Sequence, residues 1–445
     1  MKILLVTHTF LPKYVAGTEV YTYGLAKELS KNNDVSIFTT EPLSKYNDYK
    51  IIKTNYENLS VYCLRKNIRD DCTFENTYND KSALKPFKRL LTKIKPDIIH
   101  YQHIMHLSPE LIEIGNSLKI PQLITLNDFW FQTMLFNRIS SDDKLMLDFT
   151  DEAASLDLAK IYGTGFFYSS KTSKKNKFHI KMMIKKILYK FYKKIFYFTE
   201  IEEYLEKIKL RNFMMRQGLR LTDLIIFPTL FLYQEFSKWG FEAKKTLVSS
   251  HGINTEIFTN NVNKTKSPFL RFGFIGSIIP SKGLDILLKA WSKVIGTNIQ
   301  LKIYGNLDTN KKYKKEIMKL RKNCKNVKFL GTFPPNKIAD IFSGIDVLII
   351  PSRWFENAPL VLRNALLSKT PVIATNLGSL IELVNEKKSG LLFENENDGD
   401  LAEKINSIIK DKKILSSFDF PKQKSIEENT KELMDIYKNY LANKK

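Results

Sequence analysis

Short apolar runs alternate with helix-period segments from the first residues of this chain, and that alternation restricts its fold more than any other feature. In the first half, strands are predicted at residues 3–6, 35–39, 97–101, 121–126 and 224–228, and helices are predicted at 19–29 and 109–118. Strands and helices that take turns in this way indicate a doubly wound α/β sheet. We therefore expect the N-terminal half to form one α/β domain.

A second series of the same kind begins after the polar stretch 260–268, whose sequence NNVNKTKSP is typical of a linker. Its strands are predicted at 271–275, 299–304, 327–330, 347–351 and 371–374, with helical patterns between them. The chain has 445 residues, which exceeds the roughly 250 to 300 at which one hydrophobic core stops growing. We expect two Rossmann-like domains, 1–260 and 268–425, that face each other across a cleft, and a C-terminal helix at 426–445 that packs back on the first domain.

Residues 134–220 lack the strand alternation of their surroundings. Within them, residues 171–194 hold ten lysines and no acidic residue, and apolar side chains recur at helical spacing. This pattern predicts a basic amphipathic helix in an insertion of the N-terminal domain. Two interpretations stay open: the helix packs on its own domain, or it docks on an anionic membrane surface through residues 171–198. Nucleic-acid binding rests on charge alone, without a reader motif, so no nucleic-acid partner is expected.

The formal net charge of +23 attracts phosphates, nucleic acid or an anionic membrane leaflet, and charge does not choose among them. Cys63, Cys72 and Cys324 have no metal-ligand spacing and leave an odd count, which argues for a reducing compartment. No run of 18 apolar residues predicts a transmembrane helix, and the short apolar run after Met1 is typical of a first strand rather than a signal peptide. We expect a cytoplasmic protein, with peripheral attachment to the inner face of the cell membrane as the alternative that the basic helix raises.

Two glycines that follow predicted strands point to anion binding. Gly17 opens a helix that begins near Thr18, and Gly276 follows the strand at 271–275. Glycine lets backbone amides approach a ligand closely, and an exposed helix N-terminus favours negative charge. Lys282, just before another helix, adds a full charge that can stabilise a diphosphate leaving group, although a solvated surface lysine gives the same pattern.

The segment 351–384 carries the strongest signal for a binding site. A buried strand ends in a loop with Glu356 and Asn357, and an apolar run continues as a helix whose first turn contains Pro359, a position that suits proline. The free amides of residues 358–361 are expected to point toward the cleft, where a sugar or phosphate oxygen accepts from them.

Eight ordered segments resemble glycosyltransferase family 4 of the GT-B fold: GTEVYTYGLAKEL, DIIHYQHIMHLSP, PQLITLNDFWF, SSHGINTEIF, FGFIGSIIPSKGLDILLKA, LKIYGN, VKFLGTF and SRWFENAPLV. The resemblance covers most of the chain and is weakest at 134–220. It implies a retaining transferase that takes a sugar from a UDP- or GDP-sugar and needs no metal or other cofactor.

The resemblance also implies roles for individual positions. It assigns Lys282 to the donor diphosphate and Glu356 to the donor sugar, while residues 357–361 supply backbone amides. Catalysis is assigned to Glu356, Lys282 and Asn127. Donor binding is assigned to Gly17, Gly276, Ser277, Lys282, Gly305, Thr332, Asn357, Ala358, Pro359, Leu360, Val361 and Asn364. Acceptor binding is assigned to Thr18, His103 and Asp128.

Two polar positions depart from the family's pattern. Asn364 stands eight residues after Glu356, where the family has a second glutamate that binds the ribose. Asparagine loses the charge-assisted bond, which is roughly twice as strong as a neutral one. Asn127 stands where relatives commonly have a histidine, and asparagine does not titrate near neutral pH.

A third departure concerns charge, because the arginine that many relatives carry near the lysine is missing from 276–282. Arg353 and Arg363 are the nearby candidates to replace it.

The histidines His100, His103 and His106 lack a neighbouring carboxylate or cysteine cluster in the sequence, so no metal site is expected.

Two hypotheses of function follow. The first is a retaining glycosyltransferase that moves a sugar to a hydroxyl of a glycan or lipid-linked acceptor in surface polysaccharide or glycoconjugate synthesis. The second, which Asn127 and Asn364 favour, is a catalytically impaired paralogue that binds a sugar nucleotide or a partner transferase.

Overall fold

The computed structural model of the chain describes residues 1–68, 73–134, 138–141, 144–147, 150–162, 201–258, 263–385 and 388–442. These residues form two separate sheets, one of eight strands and one of six. We call the part built on the first sheet the N-terminal lobe and the part built on the second sheet the C-terminal lobe. Among the described residues, no helix is both long and apolar enough to cross a membrane.

The sheet of the N-terminal lobe has the order β3-β4-β2-β1-β5-β6-β7-β8. Its strands are β1 (Lys2–Val6), β2 (Asp34–Glu41), β3 (Ile51–Tyr56), β4 (Leu59–Arg65), β5 (Ile98–Tyr101), β6 (Gln122–Thr125), β7 (Leu224–Phe227) and β8 (Thr246–Val248). Every pair is parallel except the edge hairpin of β3 with β4. The helices are α1 (Gly17–Leu29), α2 (Leu84–Ile94), α3 (Glu110–Ser117), α4 (Asp151–Tyr162), α5 (201–221) and α6 (Leu230–Lys238).

The sheet of the C-terminal lobe is wholly parallel, in the order β11-β10-β9-β12-β13-β14. Its strands are β9 (Leu270–Ile275), β10 (Ile299–Tyr304), β11 (Val327–Gly331), β12 (Val347–Ile350), β13 (Val372–Thr375) and β14 (Gly390–Phe393). The helices are α7 (Leu284–Trp291), α8 (Lys311–Arg321), α9 (Ile338–Ser343), α10 (Leu360–Leu367) and α11 (Asp398–Lys410). Strands β9 and β12 are almost wholly buried, as parallel strands covered by helices on both faces must be, and apart from Arg271 in β9 their residues are glycine or apolar.

The last helix, α12 (Ile426–Ala442), returns to the N-terminal lobe. The Tyr21 hydroxyl of α1 donates to Asn429 Oδ1 at 2.8 Å, and the Tyr437 hydroxyl lies 2.6 Å from His100 Nδ1. At the crossing between the lobes, Ile253 forms a parallel bridge with Ser425. The chain therefore passes between the lobes twice, and the two passes are hydrogen-bonded to each other.

The α/β character and the main strands agree with the sequence analysis, while two details differ. Pro359 does not lie in the first turn of α10, because its ψ of 118° is extended and the helix begins at Leu360. The hairpin of β3 and β4 was not predicted from the sequence. The predicted basic helix at 171–194, and the surface 171–198, lie outside the described residues.

Candidate active site

Lys282 and Glu356 meet at the carboxyl ends of two neighbouring strands, β9 and β12. Lys282 ends the 3₁₀ helix Pro280–Lys282, and Gly283 then turns the chain into α7 with a φ of +68°. A Cβ atom on Gly283 would lie 1.8 Å from the carbonyl oxygen of Pro351, so only glycine lets the two loops touch. Across this contact, Lys282 Nζ donates to Glu356 Oε1 at 2.6 Å. The structure thus brings the two assigned charged residues together.

The Glu356 side chain is held by its own loop as well. It is 8% exposed, and its Oε1 also accepts from Ser352 Oγ and Trp354 Nε1, each at 2.7 Å. Ser379 Oγ donates to the carbonyl oxygen of Glu356 at 2.5 Å, which fixes the backbone beneath the side chain. A buried carboxylate needs such partners, because an unpaired charge in the interior is very costly. The carboxylate is therefore preorganised before any ligand arrives.

Arg353 is already committed to partners inside the C-terminal lobe. Its guanidinium donates to both oxygens of Asp285, at 2.7 and 2.5 Å, and its Nε donates to Glu396 at 2.9 Å. Burial alone would raise the pKa of Asp285, but the hydrogen bonds and charge of Arg353 outweigh it and lower that pKa. Arg363 donates to the carbonyl oxygen of His251 and, at 3.1 Å, to Gln423. Arg353 is thus paired with carboxylates of its own lobe, whereas the partners of Arg363 are neutral, and the replacement of the missing cation by either arginine stays a prediction.

The glycine-rich edge assigned to donor binding lies at the ends of β9, β10 and β11. Gly305 has a φ of +157°, and a Cβ there would lie 2.1 Å from the carbonyl oxygen of Gly276. A Cβ on Gly276 would meet no atom closer than 3.9 Å, so its surface is open. Ser277 and Thr332 are exposed beside it. The backbone here can be approached closely by a ligand.

The start of α10 offers free backbone donors. The N–H groups of Leu360 and Val361 lie in the first helical turn, where no intrahelical acceptor exists. Pro359 has no N–H and so supplies no amide, which corrects the assignment of an unbroken run of donors from 357 to 361. Ala358 precedes it and is half-buried. Asn364 lies four residues after Leu360, one helical turn further on the same face.

Asn127 and Asn357 face each other where the lobes meet. Asn127 Nδ2 donates to the carbonyl oxygen of Gln102 at 2.7 Å. Asn357 Nδ2 donates to the carbonyl oxygen of Asn127 at 2.9 Å, and Asn357 Oδ1 accepts from Thr229 Oγ1 at 2.7 Å. The side chain of Asn357 thus joins the two lobes, which leaves only its backbone for the assigned contact with a donor.

The assigned acceptor residues His103 and Asp128 form a pair at the ends of β5 and β6. His103 Nδ1 accepts from the Met105 N–H at 3.1 Å, so its Nε2 carries the hydrogen that faces Asp128 at 3.1 Å. Asp128 Oδ1 also accepts from the Trp130 N–H at 2.8 Å. His8 was not predicted as a site residue from the sequence, although its ring lies 4.3 Å from that of His103. Its position two residues after β1 was the available signal.

His8 lies against Glu19, a second residue that the sequence analysis missed. Glu19 is 2% exposed, accepts from Thr9 Oγ1, and has its Oε1 3.6 Å from His8 Nε2. Burial lowers the pKa of His8, and the nearby histidines His103 and His106 lower it further. Gly17 and Thr18 lie just before Glu19, and a Cβ on Gly17 would meet no atom within 4 Å. The N-terminus of α1 is therefore open beside this buried pair.

Two family models divide the chain between them. Residues 15–153 match Glycosyltransferase Family 4, and residues 247–433 match Glycosyl transferases group 1. The chain belongs to the GT-B-fold glycosyltransferases. Both residues of the central pair, Lys282 and Glu356, lie in the group 1 part.

Curated relatives within these glycosyltransferases are distant and matched over part of their length. An uncharacterized glycosyltransferase of Methanocaldococcus jannaschii is 31% identical over 190 residues, which cover 42% of this chain and 48% of the relative. The capsular polysaccharide biosynthesis glycosyltransferase CapM of Staphylococcus aureus is 25% identical over 191 residues, which cover 40% of this chain and 49% of the relative. The chain thus spans about half the length of each relative.

Solved glycosyltransferase structures match over nearly the whole chain. Sucrose-phosphate synthase from Thermosynechococcus elongatus aligns with a TM-score of 0.65 and 17% identity over 99% of both chains. HepE from Anabaena, in complex with UDP and glucose, aligns with a TM-score of 0.59 and 15% identity over 100% of this chain and 99% of that one. These matches show that the two-lobed fold is that of GT-B proteins.

Proposed function

We propose that this protein is a retaining glycosyltransferase that moves a sugar from a UDP- or GDP-sugar to a hydroxyl of a glycan or lipid-linked acceptor. The observation that carries the proposal is the contact of Lys282 with the buried carboxylate of Glu356 at an open, glycine-lined edge. One charge suits the diphosphate and the other suits the hydroxyls of a sugar. Membership in the GT-B glycosyltransferases supports the same reaction.

In the proposed reaction the donor diphosphate takes Lys282 from Glu356 and receives N–H bonds from the start of α10. The bond between the anomeric carbon and the diphosphate oxygen breaks, and its electron pair leaves with the diphosphate. The acceptor oxygen bonds to the same carbon from the same face, and its proton passes to the departing phosphate oxygen. Lys282 stabilises the charge that develops there, so the protein supplies electrostatics and positioning. This scheme calls for no metal.

The chemistry of relatives supports a surface polysaccharide or glycoconjugate as the product. CapM is named for capsular polysaccharide biosynthesis, and another relative, from Staphylococcus aureus strain COL, is a poly(ribitol-phosphate) alpha-N-acetylglucosaminyltransferase, 27% identical over 151 residues covering 33% of this chain and 29% of its own. The complex of HepE with UDP and glucose favours UDP over GDP as the donor's nucleotide.

The proposal is tested by incubating the full chain with UDP- and GDP-sugars and a panel of glycan and lipid-linked acceptors, and by measuring released nucleotide. Release that depends on an acceptor is expected for one pairing. NMR of the product gives the anomeric configuration, and inversion would contradict the retaining mechanism. If the protein binds UDP but releases no nucleotide with any pairing of the panel, that result would contradict transfer itself.

A catalytically impaired paralogue remains the second candidate, and the contacts of Asn127 favour it. That side chain donates to the backbone of Gln102, so it is turned to a structural partner. The double variant Asn127→His with Asn364→Glu restores the two family residues. Activity that appears only in the variant would establish the paralogue, whereas activity of the natural chain would exclude it.

Peripheral attachment to an anionic membrane is a separate part of the proposal and rests on the lysines of 171–198. Co-sedimentation with vesicles that contain anionic lipid is expected, and it should be lost when lysines 181, 185, 186 and 190 become glutamate. Binding that survives this change would contradict the proposed surface.

A further inference from the structure

Trp354 contacts both charged residues of the site. Its indole Nε1 donates to Glu356 Oε1 at 2.7 Å, and Lys282 Nζ lies 4.4 Å from the centroid of its ring. The residue stands in the loop after β12, two positions before Glu356. An ammonium at this distance from an indole face is attracted by the ring's quadrupole. One side chain thus holds the cation and the carboxylate at once.

The bonding around Glu356 is crowded on one oxygen. Oε1 accepts from Lys282 at 2.6 Å and from Ser352 and Trp354 at 2.7 Å each, whereas Oε2 takes no hydrogen bond from the described residues. A carboxylate has about four acceptor positions, two on each oxygen. Three donors therefore exceed what Oε1 accommodates well, and the departure of one relieves the excess. Lys282 is the donor with another destination, the diphosphate.

We infer that Trp354 is a positioning residue that passes Lys282 from Glu356 to the donor diphosphate and keeps the carboxylate aimed after the lysine has left. The ring face guides the ammonium through the exchange. The indole N–H, with Ser352, retains Oε1, so that Oε2 stays free to accept from a hydroxyl of the donor sugar. This inference rests on the proposed function and deepens it.

Kinetics of two substitutions separate the roles of the N–H and the ring. Trp354→Phe keeps an aromatic face and removes the N–H, so kcat should fall about tenfold, as for loss of a hydrogen bond to a charged group, with the donor KM changed by less than about twofold. Trp354→Leu removes both, so the donor KM should also rise about fivefold. Wild-type kcat in Trp354→Phe would overturn the inference.

Trp291 provides a matched control in the same lobe. Its Nε1 donates to the carbonyl oxygen of Lys325 at 2.9 Å, and the side chain is 3% exposed in the core. Trp291→Phe should lower the melting temperature and leave kcat unchanged when assayed well below it. If Trp354→Phe shows the same behaviour, its role is merely structural and the inference fails.

A spectroscopic arm tests the contact even if no donor turns over. The chain has four tryptophans, and the indole N–H signal of Trp354 in the ¹⁵N-labelled full chain is the one that Trp354→Phe removes. In Glu356→Gln this signal should move upfield, because an amide oxygen is a weaker acceptor than a carboxylate. With saturating UDP the Trp354 N–H signal should stay downfield, because the indole keeps its hydrogen bond to Glu356 when Lys282 moves to the diphosphate. No shift in Glu356→Gln, or an upfield move with UDP, would overturn the inference without bearing on transfer.

Discussion

The carboxyl edges of the two sheets face the same cleft but are built from different chemistry. On the C-terminal lobe, Lys282 pairs with Glu356 and Arg353 pairs with Asp285. On the N-terminal lobe, the carboxylate of Glu19 is held by the hydroxyl of Thr9. The histidines of this lobe contribute to the difference, because burial lowers the pKa of His8, of His100 to about 3, and of His106 to about 4.

This contrast suits two kinds of substrate. In the proposed reaction, the pair of Lys282 and Glu356 exchanges one partner for a diphosphate, which suits the C-terminal edge to an anion that leaves. Imidazole rings and amides give and accept single hydrogen bonds, which fits the hydroxyl groups of an acceptor. The difference between the edges implies that loss of the Lys282 charge on the C-terminal side mainly affects turnover, while substitution of a buried histidine on the N-terminal side mainly affects the pH response.

The largest effect is expected at Lys282. Lys282→Ala should lower kcat/KM about 10³-fold, because it removes a preorganised charge from the departing phosphate. Lys293→Ala is the matched control, since that lysine pairs with Asp398 at the surface and should leave kcat/KM within about twofold. If the two changes lower kcat/KM equally, Lys282 acts only through the general positive charge of the protein and not as a cation of the site.

Arg353 should affect stability rather than turnover. Arg353→Lys keeps the charge but loses the bidentate bond to buried Asp285, so the free energy of unfolding should fall by about 2 to 3 kcal/mol in urea denaturation. Assayed at a temperature where the variant is folded, kcat should remain within about threefold. A hundredfold fall in kcat with unchanged stability would mean that Arg353 contacts the donor after all.

His100 should make the N-terminal lobe sensitive to acid. Its pKa is lowered to about 3 by burial, so between pH 6.5 and that value the unfolded chain binds a proton that the folded chain does not. The free energy of unfolding therefore falls as pH falls, by about 1.4 kcal/mol per pH unit for this histidine. His100→Gln should lose less stability than the natural chain between pH 6.5 and 5, by about 2 kcal/mol. Parallel losses in the two proteins would show that His100 titrates normally.

The smallest effect is expected where the lobes touch. Asn357→Ala removes the bonds to Asn127 and Thr229, which should weaken lobe closure by about 1 kcal/mol and enlarge the radius of gyration in solution scattering. Asn406→Ala is the control, because that side chain accepts from the Ile295 N–H at 3.0 Å, a bond made within the C-terminal lobe. An unchanged radius in Asn357→Ala would mean that this bond does not hold the lobes together.

The sequence predicts what local patterns specify and misses what depends on distant partners. Strand β12 is a continuous apolar run and is recognisable as such, whereas β3 is largely exposed and half polar and leaves no such signal. The convergence of Lys282 and Glu356 follows from two neighbouring strand ends in one sheet. By contrast, the bond between Asn357 and the Asn127 backbone joins residues 230 positions apart, and no spacing in the sequence predicts it.

The paired crossing at Ile253 and Ser425 has a consequence for dissecting the protein. The Ile253 N–H donates to the carbonyl oxygen of Lys424 at 3.1 Å, and the Ile426 N–H donates back to Ile253 at 2.9 Å. A protease cut in the linker would therefore not release two self-sufficient halves, because the second fragment carries the helix whose Tyr437 fills the core of the first. The fragments on either side of that cut are complementary parts for split-protein reconstitution, and each should aggregate when it is produced alone.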